Sequence, residues 1–531
     1  MSGAAPKSIL HGKFSSWLPW HQPFLADLLA GLDASYRNVV LCNRVENEAR
    51  FPRPDVVALK SRALLQPSAA VVCAADLRSR FAPSLLHGHF GWSGARLLLL
   101  KSILRIPLVT TFGGRDAGVQ VGAEKSAPLY RILLDACDRI VCVSHHLKGE
   151  LAAAGADPDR IEVVHRGTDL ERFPVVDRAG RPVVPFRMLM VGRLVEKKGH
   201  GDALAALARL RQSGRAAELA IVGVGPAEDA IRAEARRRGV AEYVTQYAPM
   251  DRSVLRERLA AADVFVHCSV RAADGDVEGI PNVVVEAAAT GRPVVGTRHG
   301  GLVDVVEDGT TGLLVGEREP EALAAALARL AAEPGRRLEM GRAAAARARA
   351  AFDLRAQVAA HEALYAELLA EVKPRPVALP DDYFALARRA IGGGARAWDH
   401  TLAAAAQALL APLSVDPSLA AAPRGLVDRA LEAPTGWPRP WRSAAELALD
   451  VAGRAPLAPL GGFRKRTRKR ADALDRAVLA RLREGAELAG APTEAAVARA
   501  LRDLRGEPPP TGWRRLRERI AGGGAEPGDE V

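Results

Sequence analysis

The chain has 531 residues, more than a single hydrophobic core usually serves, so its length indicates two or more domains. Hydrophobic residues make up 48% and charged residues 26% of the sequence, an ordinary soluble globular composition. No apolar run approaches the ~20 residues that a helix needs to cross a bilayer. The net charge of +12 fits phosphate groups or an anionic membrane face as partners, and it does not by itself indicate nucleic acid.

The cysteines and the N-terminal segment indicate in which cellular compartment the protein is located. The five cysteines are odd in number and lack the spacing of a metal site, so buried thiols in a reducing cytoplasm account for them best. The stretch MSGAAPKSILHGKF contains no apolar core of the length of a signal peptide. We therefore expect a cytoplasmic protein, and its basic charge leaves room for peripheral contact with the inner face of the cytoplasmic membrane.

Residues 1–178 alternate short apolar strands with helical stretches, the pattern of a parallel sheet covered by helices. Strands are predicted at Lys7–His11, Asn38–Cys42, Leu86–His89, Leu108–Phe112, Arg139–Ser144 and Ile161–His165. Helices are predicted at Gln22–Leu32, Gly94–Leu104 and Ala127–Ala136. The Pro-rich stretch 174–186 is predicted to link this unit to the next.

Residues 186–351 repeat the alternation, which predicts a second doubly wound domain. Strands are predicted at Arg187–Gly192, Ala217–Val222, Tyr243–Tyr247, Val264–Cys268, Pro293–Thr297 and Leu313–Val315. Helices are predicted at Gly201–Ser213, Ala227–Gly239, Arg252–Ala261, 282–290, Glu321–Ala332 and Gly335–Phe352. In such folds the ligand lies outside the carboxyl ends of the strands, so a two-domain version places it in the cleft between the domains.

The remainder of the chain has a different pattern. Residues 352–371 are predicted to form one helix. In residues 372–531, Pro and Gly break the sequence into short helical pieces, the first at Tyr383–Ile391, without strand signals. This predicts a helical or partly disordered extension of unknown role. The basic run Arg464–Arg470 is either a solvated turn or a site for acidic lipid headgroups, and no nucleic-acid role is predicted from it.

The stretch Val270–Gly291 carries the strongest chemical signal. Seven residues separate Glu278 from Glu286, and Gly279 and Pro281 follow the first carboxylate. Proline is favoured at the start of a helix, so Glu278 is predicted in a loop and Glu286 inside the helix that follows. The free N–H groups and positive dipole end of that helix favour an anion such as a phosphate. Two carboxylates beside an anion site predict a ligand with hydroxyls and phosphate, such as a nucleotide sugar.

Two further motifs follow predicted strands. In VGRLVEKKGH, Arg193 and Lys198 lie at the carboxyl edge of the sheet, where the fork of the arginine and the point charge of the lysine can clamp a diphosphate. The second is IVGVGP, a strand followed by a Gly-rich turn at Ile221–Pro226. Each motif alone is weak evidence, because surface charge or tight turning explains it equally well.

The order and spacing of these three motifs resemble the second domain of retaining family 4 glycosyltransferases. The resemblance spans about residues 5–370 and is strongest at GRLVEKKGH, VGVGP, DGDVEGIPNVVVEA and HGGLVDVVEDGTTGLLV. The stretch DGDVEGIPN is most similar to enzymes that build bacterial surface polysaccharides and exopolysaccharides. The resemblance implies the α/β fold called GT-B, in which two doubly wound Rossmann-like domains face each other across a cleft; here a helical C-terminal extension follows.

The resemblance also implies a role for each matching residue. Arg193 and Lys198 would hold the donor diphosphate, Glu278 would accept hydrogen bonds from hydroxyls of the donor sugar, and Glu286 would accept them from the ribose. Backbone facing the sugar and phosphate would come from Gly279, Ile280, Pro281, Asn282 and Val283, and contacts to the base from Ala248 and Pro249. Together with His89, the residues Glu278, Arg193 and Lys198 are the predicted catalytic group.

No cofactor or metal is predicted, and the nucleoside diphosphate sugar is the donor substrate. Two cations and a helix dipole stabilise the charge that develops on a departing diphosphate, so no metal is needed. We also identify no aspartate–x–aspartate metal signature in the sequence near the site.

The N-terminal half matches the family less closely. The segment His87–Gly91 (HGHFG) resembles the family's His-x-His stretch, and His89, at a strand end, is either a ligand of sugar or acceptor or a structural histidine. In VTTFGGRDAG, Gly113 stands where the family usually has a histidine that contacts the transferred sugar, whereas Asp116 is kept. Ser144 and the later Arg166–Asp169 segment would line the cleft.

The first loop departs from the family as well. Many relatives carry a Gly-rich loop after the first strand, whereas this chain has HGKFSSWLPWHQPF there. Trp17, Trp20 and Phe24 form an aromatic cluster that is either core packing or an apolar platform for a lipid-linked acceptor or a sugar.

We therefore predict a retaining, metal-independent hexosyltransferase that uses a saccharide or lipid-linked acceptor in cell-surface polysaccharide or glycoconjugate biosynthesis. The implied mechanism is a same-face displacement in which the leaving phosphate helps to deprotonate the acceptor. The alternatives are a GT-B nucleotide-sugar epimerase or phosphorylase, and a non-catalytic glycan- or nucleotide-binding scaffold. Gly113 and the long tail favour the scaffold, whereas the intact donor residues oppose it.

Overall fold

A computed structural model provides the structure of the chain. It describes residues 6–391 with gaps at 18–22, 50, 60–63, 66–69, 71–72, 75–76, 79, 177–183, 371–372 and 381–382. Most of the predicted extension, including the basic run Arg464–Arg470, lies outside the described residues.

The first domain is built on a seven-stranded parallel sheet in the order β3-β2-β1-β4-β5-β6-β7. The strands are β1 (Ser8–Trp17), β2 (Arg37–Val45), β3 (Val56–Ala58), β4 (Pro83–His89), β5 (Leu108–Phe112), β6 (Arg139–Cys142) and β7 (Ile161–Val163). The strand order reverses between β1 and β4, and in sheets of this type a crevice forms at that point beyond the carboxyl ends of the strands.

Helices cover this sheet because its strands are apolar on both faces. They are α1 (Pro23–Leu32), α2 (Gly91–Leu104), α3 (Ala127–Ala136) and α4 (His145–Ala153). In α2 the four leucines from Leu97 to Leu100 are all fully buried, because a helix that is apolar all round must be covered on every side.

The second domain has a six-stranded parallel sheet in the order β10-β9-β8-β11-β12-β13. The strands are β8 (Phe186–Val191), β9 (Ala217–Val222), β10 (Val244–Tyr247), β11 (Val264–His267), β12 (Val294–Thr297) and β13 (Gly312–Val315). The helices are α5 (His200–Gln212), α6 (Glu228–Arg237), α7 (Arg252–Ala261), α8 (Asn282–Ala289), α9 (Leu302–Val305), α10 (Pro320–Ala332) and α11 (Pro334–Ala351). Here the strand order reverses between β8 and β11.

The chain then returns to the first domain through α12 (Leu354–Ala370), which packs against α1. The side chain of Gln357 accepts a hydrogen bond from the N–H of Gly167 at 2.9 Å, and the fully buried Tyr365 is hydrogen-bonded to His87 of β4. A last described helix, α13 (Tyr383–Ile391), packs on α3. The predicted fold class of two doubly wound domains is confirmed, while the residue numbers chosen as domain boundaries stay predictions.

Two local predictions are wrong. The first strand does not end at His11 but continues to Trp17, so the first half of the stretch predicted as a loop is strand. Its serines and its buried Lys13 obscured the apolar pattern, although hydrogen bonding to β2 continues past an irregularity at Lys13. The short edge strand Val56–Ala58 was missed because three residues are too few to show alternation.

Candidate functional site

The two donor motifs meet at the point where the second sheet reverses its strand order. The loop after β8 carries Arg193 and Lys198, and the loop after β11 carries Glu278. Because β8 and β11 are adjacent and parallel, both loops leave the same edge of the sheet. Helix α8 begins at Asn282, directly after Pro281, which places its free N–H groups at the same edge.

Ion pairs join these loops. Lys198 Nζ lies 2.8 Å from Glu278 Oε1, and Lys197 Nζ lies 2.9 Å from Asp276 Oδ2 and 3.7 Å from Glu278 Oε1. Glu278 is only 7% exposed. Its burial opposes ionisation, but the charges of Lys198 and Lys197 outweigh this and hold the pKa of Glu278 well below its usual range. Lys197 was missed by the sequence prediction, although the doubled lysine in VEKKGH was a visible signal.

Glycines allow the backbone of the loops to touch. A Cβ atom on Gly279 would lie 2.1 Å from the carbonyl oxygen of Gly113 in the first domain, and a Cβ on Gly301 would lie 1.9 Å from the carbonyl oxygen of Gly279. At Gly300, which has a φ of 49°, a Cβ would lie 2.3 Å from the carbonyl oxygen of Glu278. Any larger side chain at these positions would force the loops apart, so the site needs glycine there.

His299, the first residue of the HGG segment, orients the loop. The backbone N–H of Glu278 donates to His299 Nε2 at 3.1 Å, and the other ring nitrogen, Nδ1, lies 2.6 Å from Glu317 Oε1. The carboxylate of Glu317 therefore favours the tautomer in which Nδ1 carries the proton and Nε2 accepts. This function of His299 was not predicted.

Glu286 lies inside α8 and faces the first domain. It is 5% exposed, its Oε1 lies 4.0 Å from Arg252 Nε, and Arg252 Nη1 in turn donates to Asp27 of α1 at 3.1 Å. Burial raises the pKa of Glu286 to about 7; the charge of Arg252 opposes this rise and that of Asp27 adds to it. The role of Glu286 towards the ribose hydroxyls stays a prediction.

Asp116 shapes the opposing wall. Its carboxylate accepts hydrogen bonds from the backbone N–H groups of Gly91 at 2.9 Å, Gly113 at 3.1 Å and Gly114 at 2.9 Å. Burial raises the pKa of Asp116 against the effect of these donors. Asp116 thus fixes the backbone of the loop that touches Gly279.

His89 lies in a buried cluster at the end of β4. It is 3% exposed, and its Nε2 lies 3.1 Å from His11 Nδ1, while His11 Nε2 is bonded to Asn38 at 2.9 Å. Burial holds the pKa of His89 well below its usual range, so the ring is neutral at pH 7. The contacts of His89 in this structure are structural ones, and its role towards sugar or acceptor stays a prediction.

Arg166 follows β7 at the carboxyl edge of the first sheet. A Cβ atom on Gly113 would lie 3.0 Å from Arg166 Nη2, so the guanidinium occupies the space that the missing side chain leaves. Its Cζ lies 4.1 Å from the centroid of the Phe24 ring. Burial lowers the pKa of Arg166 to about 10, whereas the charges of Asp116 and Glu278 raise it, so the side chain is a cation at pH 7.

The other predicted contacts have these positions. Arg193 is exposed in its loop, Ala248 is exposed and Pro249 half-buried directly after β10, and their roles towards diphosphate and base stay predictions. Trp17 is 1% exposed within the core, so for this residue core packing is the correct alternative. Trp20 lies outside the described residues.

The prediction that no aspartate–x–aspartate pair lies near the site is wrong. Asp274 and Asp276 form one, separated from Glu278 only by Val277. In this structure Asp274 is paired with Arg115 of the first domain and Asp276 with Lys197, so both carboxylates have cationic partners from the protein.

Two other groups of side chains in the described part of the chain bring three metal-type ligand atoms within 4.8 Å of one another. They are His11, His87 and His89, and His145, His165 and Asp304. Asp304 Oδ2 accepts a hydrogen bond from the backbone N–H of His145 at 2.8 Å and lies 2.9 Å from His145 Nδ1 and 3.1 Å from His165 Nε2. These contacts of Asp304 join the two domains.

Among the described helices, none is both long enough and apolar enough to cross a membrane.

Comparisons with known proteins agree with this architecture. A family model described as Glycosyltransferase Family 4 matches residues 23–172, and one described as Glycosyl transferases group 1 matches residues 177–347. A crystal structure of Anabaena Alr3699/HepE in complex with UDP superposes with a TM-score of 0.57 at 19% identity, over 68% of this chain and 100% of that chain. The fold is thus the GT-B fold of glycosyltransferases.

Curated relatives give the family. WcaL of Salmonella typhimurium, whose name assigns it to colanic acid biosynthesis as a glycosyltransferase, is 33% identical over 49% of this chain and 64% of its own length. The amylovoran biosynthesis glycosyltransferase AmsK of Erwinia amylovora is 33% identical over 47% of this chain and 62% of its own length. The chain thus spans less than two thirds of the length of these two relatives.

A third relative is covered further. The GDP-mannose-dependent alpha-(1-6)-phosphatidylinositol monomannoside mannosyltransferase of Mycolicibacterium smegmatis is 34% identical over 47% of this chain and 69% of its own length. The chain belongs to the family 4 glycosyltransferases.

Proposed function

We propose that the protein is a retaining glycosyltransferase that moves a hexose-type sugar from a nucleoside diphosphate sugar to a saccharide or lipid-linked acceptor. The observation that carries this proposal is the Lys198–Glu278 ion pair, which lies where the second sheet reverses its strand order, next to the start of α8. A cation, a sugar-binding carboxylate and a helix start at one edge suit a phosphorylated sugar. The names of WcaL and AmsK support a role in surface polysaccharide biosynthesis.

The donor would lie along the second domain. Glu286 accepts hydrogen bonds from the ribose, Arg193 and Lys198 hold the diphosphate, and Glu278 accepts hydrogen bonds from the sugar hydroxyls. Ala248 and Pro249 would contact the base. The complex of HepE with UDP and glucose supports a nucleotide sugar as the donor class.

The transfer itself needs no protein nucleophile. A bond forms between the acceptor oxygen and the anomeric carbon while the bond from that carbon to the phosphate oxygen breaks on the same face. The acceptor proton passes to the leaving phosphate. The protein stabilises the negative charge on that phosphate through Arg193, Lys198 and the N–H groups at the start of α8.

We further propose that transfer is independent of added metal, because Arg115 and Lys197 already pair with Asp274 and Asp276, the carboxylates that a metal ion would need. Unchanged transfer after EDTA treatment is expected, and a strict need for Mg²⁺ or Mn²⁺ would contradict it.

We also propose that the protein acts at the inner face of the cytoplasmic membrane. Co-sedimentation of the protein with vesicles of anionic lipid would test this location.

Product analysis tests the reaction class. The full chain is incubated with UDP- and GDP-sugars and with saccharide and lipid-linked acceptors, and the anomeric configuration of the product is read by NMR. The proposal predicts a transferred sugar that keeps the donor's configuration. An epimerised donor, a sugar phosphate formed from a glycan and inorganic phosphate, or tight binding without turnover would instead indicate an epimerase, a phosphorylase or a scaffold.

A further inference from the structure

The cations of the second domain are partly neutralised before any ligand arrives. Lys198 is paired with Glu278 and Lys197 with Asp276, at 2.8 Å and 2.9 Å. A nucleoside diphosphate brings additional negative charge, and a buried charge is tolerated only when it is paired. Arg193 alone supplies an exposed cation from the loop after β8, and the described part of the chain shows no ion pair for its side chain. The binding of a diphosphate therefore calls for another cation.

Arg166 supplies a cation from the opposite wall. Its guanidinium makes no ion pair or side-chain hydrogen bond with any residue in the described ranges, and it is held by the ring of Phe24. Nη2 lies 3.0 Å from the position of a Cβ on Gly113, whose own carbonyl oxygen lies 2.1 Å from the position of a Cβ on Gly279. The guanidinium of the first domain thus lies beside the loop that carries Glu278.

We propose that Arg166 binds the β-phosphate of the nucleoside diphosphate sugar, so that cations of both domains hold the leaving group, and that Gly113 provides the space for its guanidinium. This inference rests on the proposed function, and it adds a phosphate-binding residue from the first domain. The β-phosphate is favoured over the α-phosphate because Arg166 lies near the sugar-binding residue Glu278, whereas Glu286 marks the ribose end. A guanidinium can bind two phosphate oxygens at once, which fixes the phosphate in orientation as well as in place.

The absence of a side chain at Gly113 leaves room for the guanidinium of Arg166. A Cβ at this position would also lie 3.0 Å from Phe90 Cε1, so a side chain there is confined between the ring and the guanidinium and would push Arg166 away. Gly113→Ala should therefore weaken diphosphate binding in the same direction as loss of the guanidinium. Gly149→Ala, in α4, is the matched control, because a Cβ at Gly149 meets nothing within 4 Å.

The experiment is calorimetric titration of the full chain with a nucleoside diphosphate and the matching monophosphate, UDP with UMP and GDP with GMP, in the series that the wild type binds. Arg166→Gln should weaken diphosphate binding about tenfold or more and leave monophosphate binding within about twofold. Arg166→Lys should recover part of the loss, since it keeps the charge but not the fork. Arg236→Gln, at an exposed position on α6, should change neither. Thermal unfolding of each variant checks that it is folded.

Each outcome has a distinct meaning. Unchanged diphosphate affinity in folded Arg166→Gln, or an equal loss for diphosphate and monophosphate, overturns the assignment to the β-phosphate. If Lys198→Ala weakens diphosphate binding and Arg166→Gln does not, only this inference fails. If the wild type binds no nucleoside diphosphate, or if Lys198→Ala has no effect either, the proposed function fails with it.

Discussion

At the scale of single residues, Glu286 connects stability with pH. Burial raises its pKa to about 7 in the folded protein, from an ordinary value of 4.5. The native protein therefore binds this proton more tightly than the unfolded chain does. The resulting stabilisation is complete below pH 4.5 and is lost as the pH rises through about 7. The shift corresponds to roughly 3 kcal/mol, at about 1.4 kcal/mol per pH unit.

Glu286→Gln should therefore stabilise the protein at alkaline pH, because the amide stays neutral when buried. We expect a gain of about 1–3 kcal/mol in the free energy of unfolding at pH 8 and almost none at pH 5. Urea unfolding at both pH values measures the difference. Glu257→Gln, at an exposed position on α7, is the control. An equal effect of Glu286→Gln at the two pH values would show that Glu286 does not carry the raised pKa.

Gly279 tests the close approach of the two loops. In Gly279→Ala the added Cβ would lie 2.1 Å from the carbonyl oxygen of Gly113, so the domains have to separate or the loop has to move. We expect donor affinity to fall at least about tenfold, which is about 1.4 kcal/mol, with the fold retained. Gly122→Ala, where a Cβ would meet nothing within 4 Å, should leave donor binding unchanged. Wild-type donor affinity in Gly279→Ala would contradict the contact.

At the scale of elements, Asp138 connects three segments of the chain through an ion pair and hydrogen bonds. It is paired with Lys101 of α2 in a site where both side chains are at most 1% exposed, and it accepts hydrogen bonds at 2.7 Å from the N–H groups of Leu108 in β5 and of Arg375 beyond α12. The two charges compensate each other and the backbone donors satisfy the remaining oxygen positions.

Asp138→Ala should be strongly destabilising, because it leaves the Lys101 charge buried and without its partner. A loss of about 3–5 kcal/mol is expected in urea unfolding. Glu321→Ala removes one partner of the exposed pair Arg209–Glu321, whose side chains are 49% and 63% exposed, and should cost far less stability because solvent screens this pair. Similar losses in the two variants would contradict the importance of burial for the Asp138 pair.

The sequence predicted elements best where alternation was long and turns were marked. The strand Leu108–Phe112 and the helices Ala127–Ala136 and Arg252–Ala261 agree to the residue, because apolar runs end there at clear breaks. The continuation of β1 to Trp17 was not predictable, because its polar residues are accommodated by pairing with β2, which is a tertiary contact.

In the candidate site, too, local features could be predicted from the sequence and contacts between distant segments could not. The placement of Glu278 in a loop and of Glu286 in a helix could be predicted, since both depend on local chain features such as Pro281. The pairing of Lys197 with Asp276, the orientation of the loop by His299 and the guanidinium of Arg166 beside Gly113 depend on segments far apart in the chain. No local pattern in the sequence encodes these contacts.

At the scale of the whole molecule, polar contacts bridge the two domains. Asp304 of α9 bonds to His145 and His165, and Arg252 of α7 bonds to Asp27 of α1. The structure therefore shows the domains in contact, and opening the cleft for a donor would break these bonds.

Asp304→Ala should loosen this contact. Hydrogen exchange measured by mass spectrometry should become faster in peptides covering residues 144–147 and 278–283, while β9 stays protected, because its bonds lie inside the second sheet. Asp229→Ala, at an exposed position on α6, serves as the control. Unchanged exchange in both peptides would show that Asp304 does not hold the domains together.

The central claim is that a nucleoside diphosphate sugar binds where the loops of Lys198 and Glu278 meet the start of α8. The most direct test is calorimetric titration of the full chain with the donor it binds, before and after Lys198→Ala and Glu286→Ala. We predict that each substitution weakens donor binding about tenfold or more, since each removes a side chain that we propose binds the diphosphate or the ribose. Unchanged donor affinity in both folded variants would contradict the assignment of the site.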